Sequence, residues 1–179
     1  MVLDKRPQQK FACDVLVVGG GAAGVAAAVT AARQGLAVAL VERYGFCGGG
    51  AVAGMSGTIC GIYEASDDNE RPPRQVVHGF LDEFTAAMEA RGGLTGPVRY
   101  GKTFTRVHDP LVWREVADRL LRDAGVQVLY HAVATDVLGE GGGRVAGIVA
   151  YTKEGKISIT AGGRAKRTGV AASWPRPGL

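Results

Sequence analysis

Three consecutive glycines, Gly19-Gly20-Gly21, separate a valine-rich run from an alanine-rich one, and this junction limits the fold more than any other feature of the chain. The run Ala12 to Val18 is short and mostly apolar, the pattern of a strand buried on both faces of a parallel sheet. Ala22 to Gln34 is dominated by alanine, the best helix former, and Gly35 stands where a left-handed residue ends a helix. A second strand, Ala37 to Val41, ends in Glu42. Gly19, Gly21 and Gly24 therefore satisfy Gly-x-Gly-x-x-Gly in the context of strand, tight turn, helix, strand and acidic end. In such a unit one glycine permits the turn, the next lets a pyrophosphate approach the backbone, and the third lets helix and strand pack closely. The helix N-terminus, opened here by Ala22 and Ala23, holds the anion. Close packing alone would account for the small residues. It would not account for Glu42, which stands about 20 residues on, where a ribose hydroxyl is met. A carboxylate there repels a 2′-phosphate, so NADP is disfavoured while FAD and NAD both remain.

The 179 residues give room for one domain with a respectable core or for part of a larger one. The net charge of +4 does not mark a nucleic-acid protein, because Arg164, Lys166, Arg167 and Arg176 supply it in a C-terminal stretch without acids. That stretch lacks the periodic basic surface and aromatic interleaving of a nucleic-acid site and reads as solvated. Val15 to Ala32 is 18 residues without a charge, yet the glycine triplet inside it fits a strand-turn-helix unit and not a membrane span. The N-terminus offers no clean signal-peptide core, so a cytoplasmic location is the expectation. Cys13, Cys47 and Cys60 show no metal-ligand spacing, and packing roles are expected for all three.

A second glycine cluster, Gly48-Gly49-Gly50, follows Glu42-Arg43 and is continued by Ala51, Ala53 and Gly54. With it, CDVLVVGGGAAGVAAAVTAARQGLAVALVERYGFCGGG resembles the FAD-dependent oxidoreductases of the glutathione-reductase-type fold, and within them the heterodisulfide reductase A-like flavoproteins. The resemblance is dense from residue 13 to about residue 61 and thinner to about residue 160. It implies that Gly19, Gly20, Gly21, Ala22, Ala23 and Gly24 hold the pyrophosphate of FAD, Glu42 and Arg43 the ribose end, and Gly48 and Gly49 the flavin side. The threonine that such patterns often place near Val52 is missing.

Residues 62 to 109 read as an insertion: a polar loop from Glu64 to Pro73, then a helix from Arg74 to Arg91 with Val77, Phe80, Leu81, Phe84 and Met88 on one face. His78 falls on the opposite face with Asp82 and Glu89. Arg99, Tyr100, Arg106 and His108 are read as solvated loop residues, with a substrate-facing role as the alternative. Asp109-Pro110 starts a further helix that stops at Gly125 and leads into a strand at Val126 to Tyr130. Three short strands follow, Val133 to Leu138, Val145 to Tyr151 and Ile157 to Thr160, around turns at 140–143 and at Glu154-Gly155. They form a β-meander, and the resemblance implies that backbone at its entry, near Ala134, contacts the adenine while His131 is not catalytic.

The resembling family continues with a parallel strand ending in a motif like ATGDGD; here AGGRAKRTGVAASWPRPGL stands instead, with Pro175 and Pro177. The expectation is an incomplete Rossmann-like α/β FAD-binding domain with a parallel sheet, a helical insertion and a meander, spanning 1–163, before an irregular basic tail at 164–179. Truncation or a shifted reading frame would explain such a tail, and the substrate domain is expected to be absent. FAD is the expected cofactor, with a small-molecule substrate, no nucleic-acid or membrane partner, and an electron-transfer partner in the full-length protein. No catalytic side chain and no metal site are assigned. The alternatives are an inactive fragment of such a flavoprotein and an NAD-dependent dehydrogenase.

Overall fold

The computed structural model describes residues 10–139, 142 and 144–162. The expected basic tail, the N-terminal segment and most of the 140–143 turn lie outside the described residues.

The run expected as one strand is two: β1 (Lys10–Cys13) and β2 (Val15–Val18), in different sheets. Asp14 is the reason. Its carboxylate accepts the Ala37 N–H at 2.8 Å and its own N–H donates to the Ala37 carbonyl at 2.8 Å, so the chain changes sheets at a polar residue that closes on the next strand. After β2 come α1 (Ala22–Arg33) and β3 (Val38–Val41), and β2 runs parallel to β3 from Val15↔Val38 to Val18↔Val41. On the other side of β3 lies β7 (Gln127–Leu129), also parallel, delivered by α3 (Pro110–Asp123). Helix α3 begins where the sequence places it: the Asp109 carboxylate accepts the N–H groups of Leu111 and Val112, and Pro110 needs no donor in the first turn.

The last three strands build the meander, β8 (Val133–Gly139), β9 (Val145–Thr152) and β10 (Gly155–Ala161), and β1 joins it as a parallel neighbour of β10. The result is three layers. Val17, Val38 and Leu40 of the parallel sheet pack against Val25, Ala28 and Val29 of α1 and Val116 and Leu120 of α3. Ala39 and Val41 face the other way, onto Ile148, Ala150, Ile157 and Ile159 of the meander. With β3 buried on both faces, its unbroken apolar run follows from its central place.

The insertion is more than a helix and loops. It holds β5 (Val98–Tyr100) and β6 (Thr103–Val107), which with β4 (Thr58–Ile59), just ahead of it, make a small antiparallel sheet in the order β4-β6-β5. Helix α2 is Phe80–Glu89, shorter than expected at its start, because Gly79 adopts φ 80° and the Asp82 carboxylate accepts its N–H at 2.8 Å, closing the first turn. Val76 and Val77 are exposed in the extended segment ahead of it. His78 therefore precedes the helix, paired with Asp82 at 3.5 Å. Phe84 and Met88 of α2 reach the main core, Phe84 meeting Trp113 with ring centroids 4.8 Å apart.

Candidate functional site

The carboxyl ends of β2 and β3 and the N-terminus of α1 converge at the glycine turn. Gly19, at φ 100°, makes the bend that takes the chain from strand to helix, and its N–H donates to the Val41 carbonyl at 2.8 Å. A Cβ on Gly24 would lie 1.9 Å from the Gly19 carbonyl oxygen, so this glycine is what lets the helix sit against the turn. A Cβ on Gly20 would lie 2.5 Å from the Cys47 Sγ. Gly21 differs from both. A Cβ there would meet only the Gly49 Cα, at 3.9 Å, so the space over Gly21 is open.

Glu42 is buried at 5 % exposure and its carboxylate is turned to the glycine turn, accepting the Gly20 N–H at 2.6 Å and the Tyr44 N–H at 2.9 Å. Its main chain bridges to the strand beyond, its N–H donating to Leu129 and its carbonyl accepting from Ala132. Arg43 does not join this group: its guanidinium lies over the Tyr44 ring at 4.7 Å and donates to the Tyr44 hydroxyl. Ala134 lies on β8, two residues past Ala132, packed at the edge of the meander core. A groove of about 240 Å³ opens between the end of β7 and the β9–β10 turn, lined by Leu129, His131, Thr152 and Ile157 among others, and Ala134 is not part of its lining.

The second glycine loop comes to the first. The Gly48 N–H donates to the Gly20 carbonyl at 2.8 Å, Gly21 and Gly48 form an isolated parallel bridge, and Gly49–Ala51 makes a short 3-10 turn. Cys47 lies fully buried under Gly20, and burial pushes its thiol up to about 11, which fits a packing role. The Tyr130 hydroxyl donates to the Asp118 carboxylate and reaches the Cys47 sulfur at 3.7 Å; burial, then that bond, raises its pKa. Cys60 is exposed, its sulfur 3.3 Å from the Thr105 hydroxyl.

The insertion corrects two expectations. Arg106 and His108 are buried at 7 % and 5 % exposure and are not solvated loop residues. Arg106 is held by the Glu89 carboxylate and the Thr95 carbonyl, and His108 Nε2 lies 2.9 Å from the Ala51 carbonyl oxygen of the second loop. Tyr100 is exposed, and Arg99 is half-buried with its guanidinium 4.5 Å from the Phe104 ring centroid. Nothing in the sequence near either residue signals this burial, since the partners Glu89 and Ala51 lie far along the chain.

These features fit a dinucleotide. No side chain caps α1 and no acidic residue lies in its first turn, so its positive end is left to an anion. The open space over Gly21 is the cradle a side chain would fill. Glu42 offers a carboxylate with acceptor capacity beyond the two N–H groups it already receives. Among the described residues no group of three His, Cys, Asp or Glu side chains could hold a metal ion, and no helix is long and apolar enough to cross a membrane.

Comparison with known proteins agrees. The family described as FAD dependent oxidoreductase matches residues 14–164. A thiamine thiazole synthase of Aeropyrum pernix is 35 % identical over 136 residues, which cover 76 % of this chain and 43 % of that protein. A 4-oxocyclohex-2-ene-1-carboxylate 5-dehydrogenase of Sinomonas cyclohexanicum is 54 % identical over 44 residues, 25 % of this chain and 8 % of its own length. The solved structure of Thermovibrio ammonificans THI4 aligns with a TM-score of 0.55 at 25 % identity, over 83 % of this chain and 54 % of that one. The chain thus spans about half or less of the relatives it matches.

Proposed function

The chain belongs to the FAD dependent oxidoreductase family, and from that premise we propose that it is the FAD-binding part of a flavin enzyme whose remaining length supplies the substrate site. The observation that carries this reading is the meeting of four elements at one point: the glycine turn, the uncapped start of α1, the Glu42 carboxylate and the second glycine loop.

Each residue has a task. The N–H groups at the start of α1 and the open backbone at Gly21 take the pyrophosphate, and Gly24 lets them approach by keeping the helix on the turn. Glu42 orders the turn through the Gly20 N–H and accepts hydrogen bonds from the adenosine ribose, with Arg43 outside it and backbone near Ala134 at the adenine. Gly48 and Gly49 wall the flavin side, in a close approach that a Cβ would block, since it would meet Val52 at 2.1 Å from Gly48 and the Gly21 Cα at 3.0 Å from Gly49. When bound, FAD supplies hydride and electron chemistry, so the protein contributes position and electrostatics.

Within the family, the run from Cys13 to Gly50 supports the heterodisulfide reductase A-like subgroup. The proposal includes a cytoplasmic location, a small-molecule substrate, an electron-transfer partner for the whole enzyme, and a division at residue 163 between FAD domain and tail. Neither a nucleic acid nor a membrane is part of it. The test is the absorption spectrum of the purified chain and its titration with FAD and with NAD. Flavin bands, or saturable FAD binding without NAD binding, are expected; saturable NAD binding without FAD binding overturns the reading.

A further inference from the structure

The geometry points to His108 as a positioning residue for the second glycine loop: from the insertion, its imidazole holds the Ala51 carbonyl and so sets where Gly48 and Gly49 meet the phosphate turn. This rests on the reading of that loop as the flavin-side wall.

Within the loop, the carbonyls of Gly48, Gly49, Gly50 and Val52 each accept a backbone N–H from Ala51, Val52 and Gly54, Ser56 or Met55. The Ala51 carbonyl is not among them. Among the described residues it has no backbone donor, and His108 Nε2 at 2.9 Å is the partner it has. A carbonyl only accepts, so Nε2 carries the proton in this contact. Nδ1 is then buried with no hydrogen-bond partner among the described residues. An imidazole used for packing alone would strip both ring nitrogens of water with nothing in return; here the bond to Ala51 offsets that cost.

The anchor is itself fixed. The His108 N–H donates to the Gly57 carbonyl at 3.1 Å, Leu94 pairs with it as a β-bridge, and the next residue is the Asp109 cap of α3. A residue held by β6, by Gly57 and by the start of α3 cannot follow the loop, so the loop must follow it. Through Gly48, bonded to Gly20, this position is passed to the phosphate turn.

The test uses the full 179-residue chain as wild type, His108→Leu and His108→Gln, the glutamine keeping an N–H donor at similar reach. FAD affinity is read by flavin fluorescence, and hydrogen exchange of the FAD-free proteins is read for the Gly48–Gly54 amides. His108→Leu should weaken FAD binding about tenfold and speed exchange in the loop about tenfold, with β3 amides unchanged, and His108→Gln should recover most of both. Unchanged loop exchange in His108→Leu, or equal losses in the two variants, overturns the inference. Faster loop exchange in a chain whose wild type binds no FAD supports the anchor and refutes the cofactor assignment instead.

Discussion

At the first glycine cluster the decisive contacts arise within the strand-turn-helix unit. Gly24 is pressed on the Gly19 carbonyl, and Gly19 is tied to the end of β3. At the second cluster they come from afar: the Gly20 carbonyl takes the Gly48 N–H, His108 takes Ala51, and a Cβ on Gly48 would approach Trp113 of α3 to 3.4 Å as well as Val52 to 2.1 Å. The first is a local motif that any β-α-β unit could carry. The second is a loop with little side-chain bulk that holds its shape because the insertion and α3 surround it. The proposed dinucleotide site thus has one wall set by local chain geometry and one set by tertiary packing, and the two should fail differently.

The largest effect should come from Gly24→Ala. Its Cβ would sit 1.9 Å from a backbone oxygen that cannot move without opening the turn, so a loss of about 3 kcal/mol of stability is expected by thermal or urea unfolding. A variant that melts like wild type would break the claim that the first cluster is rigid. Gly20→Ala should cost about 2 kcal/mol, but here the obstacle is the Cys47 sulfur and not backbone. Combining it with Cys47→Ala should therefore recover part of the loss, and strict additivity of the two would show that the clusters do not touch through this residue.

Gly21→Ala separates ligand from fold. The added methyl meets nothing closer than 3.9 Å in the protein, so melting without FAD should be unchanged while FAD affinity falls about tenfold, about 1.4 kcal/mol. Intact affinity would displace the pyrophosphate from this turn. Glu42→Ala should lower both quantities, each by about 1 kcal/mol, because the carboxylate holds the Gly20 and Tyr44 N–H groups and, in the proposed reading, the ribose as well.

How much of this could be read from the chain follows the same division. The glycine turn, α1 and the start of α3 were legible because caps, turn glycines and apolar period lie within a few residues of what they control. The meander was legible for the same reason, its strands separated by glycine-bearing turns. Asp14, one polar residue in a valine run, was the sign that the first strand divides, and only its bond to Ala37 shows why. The helix expected from Arg74 began too early because Val77 sits at helical spacing, though it is exposed, and Gly79 was the stop signal that outweighed it. Burial of His108 and Arg106 had no local sign, since their partners Ala51 and Glu89 lie 57 and 17 residues away.

The smallest effect concerns the link between the two regions. Arg33, in the last turn of α1, makes two hydrogen bonds at 2.6 and 2.7 Å to both carboxylate oxygens of Glu83 on α2, tying the local unit to the insertion. Both side chains are about two-fifths exposed, so solvent screens the pair and Arg33→Ala should cost only about 0.2–1 kcal/mol. The bond from Arg33 holds the Glu83 carboxyl below its ordinary value. A lowered folded-state value means that the contribution is present above the usual carboxylate range, at about pH 4.3 and higher, and is lost as pH falls through the depressed value. Wild type and Arg33→Ala should therefore differ in melting temperature at pH 7, converge in acid below that range, and converge also in high salt. A difference that survives both conditions would assign the link to packing of the arginine stem against α2.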